Sequence, residues 1–172
     1  MNYPMEVRLR PATLADASAI NEIHNHYVRT STATWQTDVE TEDQRRQWLK
    51  ARGPEHPVIV ATLGSEVVGW GSLSQYNSRK GWAGTVEDSV FVHHAHHGKG
   101  IGKQILANLL QQAQALGYHA VMARISGEQT PSLRLHQSLG FVPSGLLPAV
   151  GFKFGQKLDC AYLLKSLTKP QP

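Results

Sequence analysis

The hydrophobic positions of this chain follow two spacings, and the changes of spacing divide it into strands and helices. Alternating or β-branched apolar runs predict strands at residues 6–10, 58–63, 67–73, 85–92, 120–125, 141–150 and 158–164. Apolar residues three or four positions apart predict helices at about residues 14–30, 42–52, 101–116 and 132–139. The strand, helix, strand order after residue 85 predicts a parallel crossover of the right-handed type.

The segments between these elements carry turn and cap residues. Thr13 with Asp16 and Thr41 with Gln44 are capping boxes, and residues 64–66 predict a hairpin turn. Polar loops are expected at 31–35, 76–84 and 151–157. With no internal repeat or linker, residues 1–172 predict a single domain, with a core at 6–167 and a disordered tail at 168–172.

Composition narrows the class of protein. The 172 residues are 41% hydrophobic and 17% charged, which is typical of a globular domain. The single cysteine, Cys160, lies in an apolar run, so we expect an inert buried thiol and no internal disulfide. No apolar stretch approaches the roughly 18 residues of a membrane span, and residues 1–10 lack a signal-peptide core. We expect a cytoplasmic protein with no membrane partner.

The net charge of +4 suits an acidic partner, either a nucleic acid or a phosphorylated cofactor. Lysine and arginine are scattered and no ladder of aromatic residues accompanies them, so nucleic-acid binding is not expected. His93, His94, His96 and His97 lack a cysteine or fixed carboxylate partner, and no metal site is expected there either.

The candidate chemistry is concentrated in residues 85–103. In the strand, alternation places Glu87, Ser89 and Phe91 on one face and Asp88 on the other, where it is either structural or exposed at the rim. The glycines in HGKGIG, residues 97–102, directly precede a helix, so successive N–H groups can bind a pyrophosphate. A turn without any ligand fits these glycines equally well. The segment lacks the Gly-Lys-Ser/Thr of a P-loop and the acidic residue of a dinucleotide-binding fold.

Several motifs together resemble one family. They are TATW at 32–35, TVEDSVFV at 85–92, HHGKGIG at 96–102, PSLRLHQSLGF at 131–141 and VGFKFGQKLD at 150–159. In this order and spacing they resemble the phosphinothricin and methionine sulfoximine N-acetyltransferases of the GNAT superfamily, over nearly all of residues 7–167. The sequence departs from the family pattern at His97, which replaces Gln or Arg, and at Gln129, which replaces Asn.

The resemblance implies an α/β fold, with a mostly antiparallel, splayed central sheet and helices on both faces. It also implies direct transfer of the acetyl group of acetyl-CoA to a small amine, with no metal. Glu87 would be the general base. His136 would be the acid for the leaving thiolate, or instead a histidine that only hydrogen-bonds in the core. The implied cofactor contacts are Val90, Phe91, Val92, Gly98, Lys99, Gly100, Ile101, Gly102, Lys103, Gln129 and Ser132.

The same resemblance implies an amino-acid acceptor and a homodimer. The implied substrate contacts are Trp35, Ser78, Arg79, Lys80, Trp82, Glu87, Asp88 and Ser89. Two alternatives stay open at this point. One keeps the fold and the cofactor but acetylates a peptide, polyamine or drug amine, and the other is a non-catalytic module that binds acyl-CoA.

Overall fold

The computed structural model describes residues 6–167, so the expected disordered tail lies outside the described part of the chain. The strands are β1 (Val7–Pro11), β2 (Val58–Leu63), β3 (Glu66–Gln75), β4 (Thr85–Val92), β5 (Ala120–Ser126), β6 (Val142–Lys153) and β7 (Gln156–Ser166). The α-helices are α1 (Ala17–Thr30), α2 (Glu42–Lys50), α3 (Ile101–Ala115) and α4 (Thr130–Ser138).

Within residues 6–167, the seven strands form one sheet in the order β1-β2-β3-β4-β5-β7-β6. Neighbouring strands are antiparallel except β4 and β5, which are parallel and are joined through α3. The mixed α/β class and the parallel crossover are therefore confirmed. A parallel pair requires a connection that crosses the sheet, and α3 provides it by packing on one face.

The helices cover both faces of the sheet, as expected. Ile20 and Ile23 of α1 pack on Val60 and Trp70 on one face. On the other face, the apolar stripe of α3 packs against a larger cluster that includes Val86 and Val121. None of the helices in the described residues is long and apolar enough to cross a membrane.

The prediction of a polar loop at residues 151–157 is wrong. β6 continues to Lys153 and β7 begins at Gln156, which leaves only Phe154 and Gly155 as the turn, with φ angles of 53° and 75°. Two residues with positive φ match the twist of a tight hairpin. The polar residues that predicted a loop have another role, since the side chain of Lys153 is buried.

Candidate active site

A cleft opens in the sheet where β4 and β5 separate. The two strands pair only between Thr85–Glu87 and Ala120–Met122, and among residues 6–167 β4 has no strand partner on that side beyond this point. A cavity of about 860 Å³ occupies the gap and runs from the α1 and α2 side to the N-terminus of α3. A cavity of this size suits a cofactor or a drug-sized ligand.

The glycine loop forms one end of this cavity. Gly98 and Gly100 have φ angles of +75° and +74°, and a Cβ on either residue would meet no atom within 4 Å. Gly100 is the N-cap of α3, so the free N–H groups of the first helical turn adjoin open space. Gly102 has a different role, because a Cβ there would lie 3.3 Å from Leu135 of α4. This end of the cavity can accept a phosphorylated group.

Most of the expected cofactor residues line the cavity. Val90 and Val92 also pack against the α3 cluster, and Ile101 is a core residue. Gln129 donates to Thr32 Oγ1 at 2.7 Å, so its amide links α4 to the loop after α1. The cavity wall includes Val90, Phe91, Val92, Gly98, Gly100, Ile101, Gly102, Lys103, Gln129 and Ser132. Lys99 is not part of this wall, and its ammonium lies 3.2 Å from His96 Nδ1.

His97 has a partner that the sequence did not indicate. Its Nε2 lies 2.5 Å from the hydroxyl of Tyr27, and this hydroxyl donates its proton to the Val92 carbonyl. Burial raises the pKa of Tyr27 to about 12, so the phenol stays neutral. The substitution of His97 for Gln or Arg thus joins α1 to the start of the glycine loop.

Glu87 forms a bidentate ion pair that the sequence analysis missed. Arg124 Nε and Nη2 donate to the two carboxylate oxygens, each at 2.7 Å. Glu87 lies opposite Met122 in the parallel register, and Arg124 is two residues further on the same face of β5. The hydrogen bonds and charge of Glu87 raise the pKa of Arg124. The sequence does show a single arginine within the apolar run AVMARI, which indicates a charged group on a buried strand. Its partner could not be identified, because the pairing depends on the register of β4 and β5.

Asp88 is buried rather than exposed at the rim. Its Oδ2 lies 3.0 Å from Nε2 of His136, while Nδ1 of His136 lies 2.8 Å from the Ser132 carbonyl. Burial lowers the pKa of His136, but the hydrogen bond and charge of Asp88 outweigh burial and the pKa is raised. Both partners can act as acceptors, an arrangement that favours the protonated form of the ring. The Oδ1 atom of Asp88 is buried and has no hydrogen-bond partner in the described part of the chain.

The other end of the cavity is aromatic and cationic. Trp35, Trp48 and Trp70 line it, together with Arg45, Arg52, Glu87, Ser89 and Arg124. Lys153 holds the loop that carries Trp35, because its ammonium donates to the carbonyls of Ser31 at 2.7 Å and Thr34 at 2.9 Å. Gly151 lies under the indole of Trp35, where a Cβ would overlap the ring. Sequence reasoning missed Arg45, Arg52 and Lys153, which had no distinguishing local pattern.

Four expected substrate residues lie elsewhere. Ser78, Arg79, Lys80 and Trp82 are not part of the cavity wall. Trp82 packs on Tyr76 with ring centroids 5.2 Å apart and is 44% exposed. The structure therefore brings Trp35, Glu87, Asp88 and Ser89 together and leaves the 78–82 segment outside this cavity.

The histidines before the glycine loop stack on one another. The rings of His26 and His94 have centroids 4.1 Å apart, and those of His93 and His94 are 4.4 Å apart. Stacked rings do not direct their nitrogens to one point. Among residues 6–167, no group of three or more His, Cys, Asp or Glu side chains is arranged to hold a metal ion.

Comparison with known proteins agrees with this geometry. The acetyltransferase (GNAT) family matches residues 20–141. The chain is 40% identical over 156 residues to an L-methionine sulfoximine/L-methionine sulfone acetyltransferase of Salmonella typhimurium, covering 90% of this chain and 91% of the relative. A solved structure of yncA from Salmonella typhimurium with its cofactor acetyl-CoA has a TM-score of 0.92 and 38% identity, with 96% of both chains covered.

A second solved structure is a phosphinothricin acetyltransferase from Sinorhizobium meliloti in complex with acetyl-CoA. It has a TM-score of 0.89 and 34% identity, and covers 96% of this chain and 93% of that chain. The match therefore extends over the sheet, the cleft and the glycine loop. The chain belongs to the acetyltransferase (GNAT) family.

Proposed function

We propose that this chain transfers the acetyl group of acetyl-CoA to the α-amine of a small amino-acid-like substrate. Methionine sulfoximine, methionine sulfone and phosphinothricin are the proposed substrate type, because relatives that carry these names cover nearly the whole chain. The observation that carries the proposal is one continuous cavity, with the carboxylate of Glu87 in one part and the glycine loop at the other end.

The glycine loop fits the phosphates of acetyl-CoA. Open space faces Gly98 and Gly100, and the N-terminus of α3 directs unpaired N–H groups and a positive dipole to the same place. Within residues 6–167, the edge of β4 at Val90 and Phe91 has no strand partner on the side of the cleft and offers main-chain groups to an extended ligand arm. When bound, acetyl-CoA supplies the acetyl group as a reactive thioester.

Glu87 is the proposed base for the substrate ammonium. The carboxylate of Glu87 lies in a bidentate ion pair with Arg124. It uses one lone pair on each oxygen, and each oxygen retains a second one for the ammonium or for a bridging water. Arg124 is therefore proposed to orient the carboxylate, and the free amine then attacks the acetyl carbon.

The reaction needs two further groups, one to stabilise the acetyl oxygen and one to protonate the thiolate, and we assign them to the edge of β4 and to α4. An N–H of the Val90 to Val92 segment is proposed to stabilise the acetyl oxygen as it gains negative charge. His136 is proposed as the acid for the departing thiolate. Both of its nitrogens already have partners, so donation requires one N–H to leave Ser132 or Asp88 for the sulfur.

A homodimer in the cytoplasm is the proposed state of the protein. The edge strand β6 and the turn that follows it carry large apolar side chains that are 45% to 67% exposed: Val142, Leu146, Leu147, Val150 and Phe152 in the strand, and Phe154 in the turn. An exposed apolar edge of this kind favours pairing with a second copy. The free thiol of Cys160 is compatible with the reducing cytoplasm.

The proposal is tested by steady-state acetylation assays. Methionine sulfoximine, methionine sulfone, phosphinothricin, polyamines and short peptides are compared by CoA release and by the mass of the acetylated product. We expect the amino acids to have the highest kcat/KM. Acetyl-CoA binding without CoA release from any of these amines would favour the non-catalytic module, and a preference for polyamines or peptides would contradict the proposed acceptor.

A further inference from the structure

Arg52 has an unusual environment in the wall of the cavity. It follows α2, and its guanidinium lies 4.3 Å from the ring centroid of Trp48. Its two terminal nitrogens donate to the Leu73 carbonyl at 3.2 Å and to Ser74 Oγ at 2.9 Å. Both acceptors are neutral, so these contacts fix the side chain without balancing its charge.

The other guanidinium groups of this part of the cavity are balanced. Arg45 pairs with Glu40 and Arg124 pairs with Glu87, each at 2.7 Å. Arg52 has no carboxylate within ion-pair distance among residues 6–167. Burial, and then the charge of Arg45, lower the pKa of Arg52. A partly desolvated cation without a counter-charge gains stability when an anion binds beside it.

The position of Arg52 relative to Glu87 restricts the type of anion. Ser74 of β3, which accepts from Arg52, lies directly opposite Glu87 of β4. The Cβ atoms of such cross-strand pairs are about 4.5–5.5 Å apart, and both side chains are on the same face. An α-amino acid carries its amine and carboxylate on one carbon. A substrate with its amine at Glu87 therefore has its carboxylate within reach of Ser74 and Arg52.

We infer that Arg52 and Ser74 form the subsite for the α-carboxylate of the acceptor. This inference rests on the proposed function and adds the group that selects α-amino acids over other amines. Arg79 and Lys80, two cations among the expected substrate contacts, lie outside the cavity wall.

The experiment compares methionine sulfone with its primary carboxamide, which has the same shape without the negative charge. Arg52→Gln should lower kcat/KM for the acid about 10- to 100-fold, the range for a lost hydrogen bond to a charged group. It should change kcat/KM for the amide less than about threefold. Arg52→Lys, which retains the charge, should retain part of the preference for the acid. Arg46→Gln is the matched control, because Arg46 is on the exposed side of α2 and pairs with Glu42.

The outcomes test the carboxylate subsite and the proposed function separately. An equal loss for acid and amide in Arg52→Gln would mean that Arg52 only supports the fold, and an unchanged preference for the acid would place the carboxylate elsewhere. Either result overturns the subsite and leaves the proposed function intact. If the wild type acetylates neither compound, the proposed function fails. Calorimetric titration of methionine sulfone then decides the subsite, which is upheld only if the wild type binds and Arg52→Gln weakens binding about tenfold or more.

Discussion

His136 and Asp88 form a buried hydrogen-bonded pair at the point where β4 and β5 separate. Nε2 and Oδ2 are 3.0 Å apart, and the two side chains are only 5% and 2% exposed. The pair joins α4 to β4, because His136 is a residue of α4 and Asp88 is a residue of β4. The other ring nitrogen of His136 is bound to the Ser132 carbonyl within α4. It therefore couples the stability of the cleft to the protonation of His136.

The pKa of His136 is raised in the folded protein, so the protonated ring stabilises the native state. This contribution is fully present below the unfolded pKa of about 6.5 and is lost as the pH rises through the folded pKa. Asp88→Asn should therefore lower the free energy of unfolding by about 1–3 kcal/mol at about pH 6, and by less at higher pH. Urea unfolding at a series of pH values measures both effects.

His119→Asn is the control for this prediction, because His119 is exposed and directly precedes β5. It should keep the pH dependence of the wild type. If the free energy of unfolding of Asp88→Asn depends on pH in the same way as that of the wild type, the pair does not stabilise the fold through protonation of His136.

Glu87→Gln should lower kcat about 10²- to 10⁴-fold, because the amide cannot take the ammonium proton. The affinity for acetyl-CoA should stay unchanged, since the glycine loop is at the other end of the cavity. Calorimetry and single-turnover rates separate the two effects. Glu66→Gln, an exposed carboxylate of β3, should retain wild-type kcat. A kcat of Glu87→Gln near that of the wild type would exclude the base role.

The glycine loop is tested by two substitutions with the same backbone cost. Gly100 and Gly117 have φ angles of +74° and +83°, and a Cβ on either would meet no atom within 4 Å. Alanine at either position should cost about 1 kcal/mol of stability. Only Gly100→Ala should also weaken acetyl-CoA binding, by about tenfold or more, because its Cβ projects into the proposed phosphate site. Equal calorimetric affinities for the two variants would contradict that site.

The edge strand β6 is tested through the oligomeric state. Phe152 is 67% exposed, and Phe152→Ser should shift the protein from dimer to monomer in light scattering after size exclusion. Val39→Ser changes a residue that is 47% exposed outside β6 and should leave the mass unchanged. A monomeric wild type, or a dimeric Phe152→Ser, would argue against this interface.

The sequence predicted features that depend on local pattern. The alternation in β4 gave the face of Glu87, and the bounds at Thr85–Val92 agree with the structure. The glycines before α3 likewise indicated a turn at a helix N-terminus, which Gly100 forms as the N-cap. Both follow from backbone periodicity and from residues with special φ angles.

Features that depend on tertiary contacts were not predicted. Arg124 meets Glu87 only through the parallel register of β4 and β5, and Arg52 meets Ser74 only after α2 packs on the sheet. Lys153 looked like a loop residue because a buried lysine requires partners that are distant in sequence, here the carbonyls of residues 31 and 34. Polarity alone cannot distinguish a solvated lysine from one that binds buried carbonyls.

Lys153 provides the last prediction, because it links the β6 and β7 hairpin to the acceptor end of the cavity. Its buried ammonium binds the Ser31 and Thr34 carbonyls, next to Trp35. Lys153→Met leaves these carbonyls without a donor, so the free energy of unfolding should fall by about 1–3 kcal/mol. The loop should also lose its fixed position, so KM for the acceptor should rise while the affinity for acetyl-CoA is retained. Lys157→Met, an exposed change in the same hairpin, should alter neither quantity. If Lys153→Met loses stability but keeps the wild-type acceptor KM, the lysine supports the hairpin alone and the wall at Trp35 is held by other contacts.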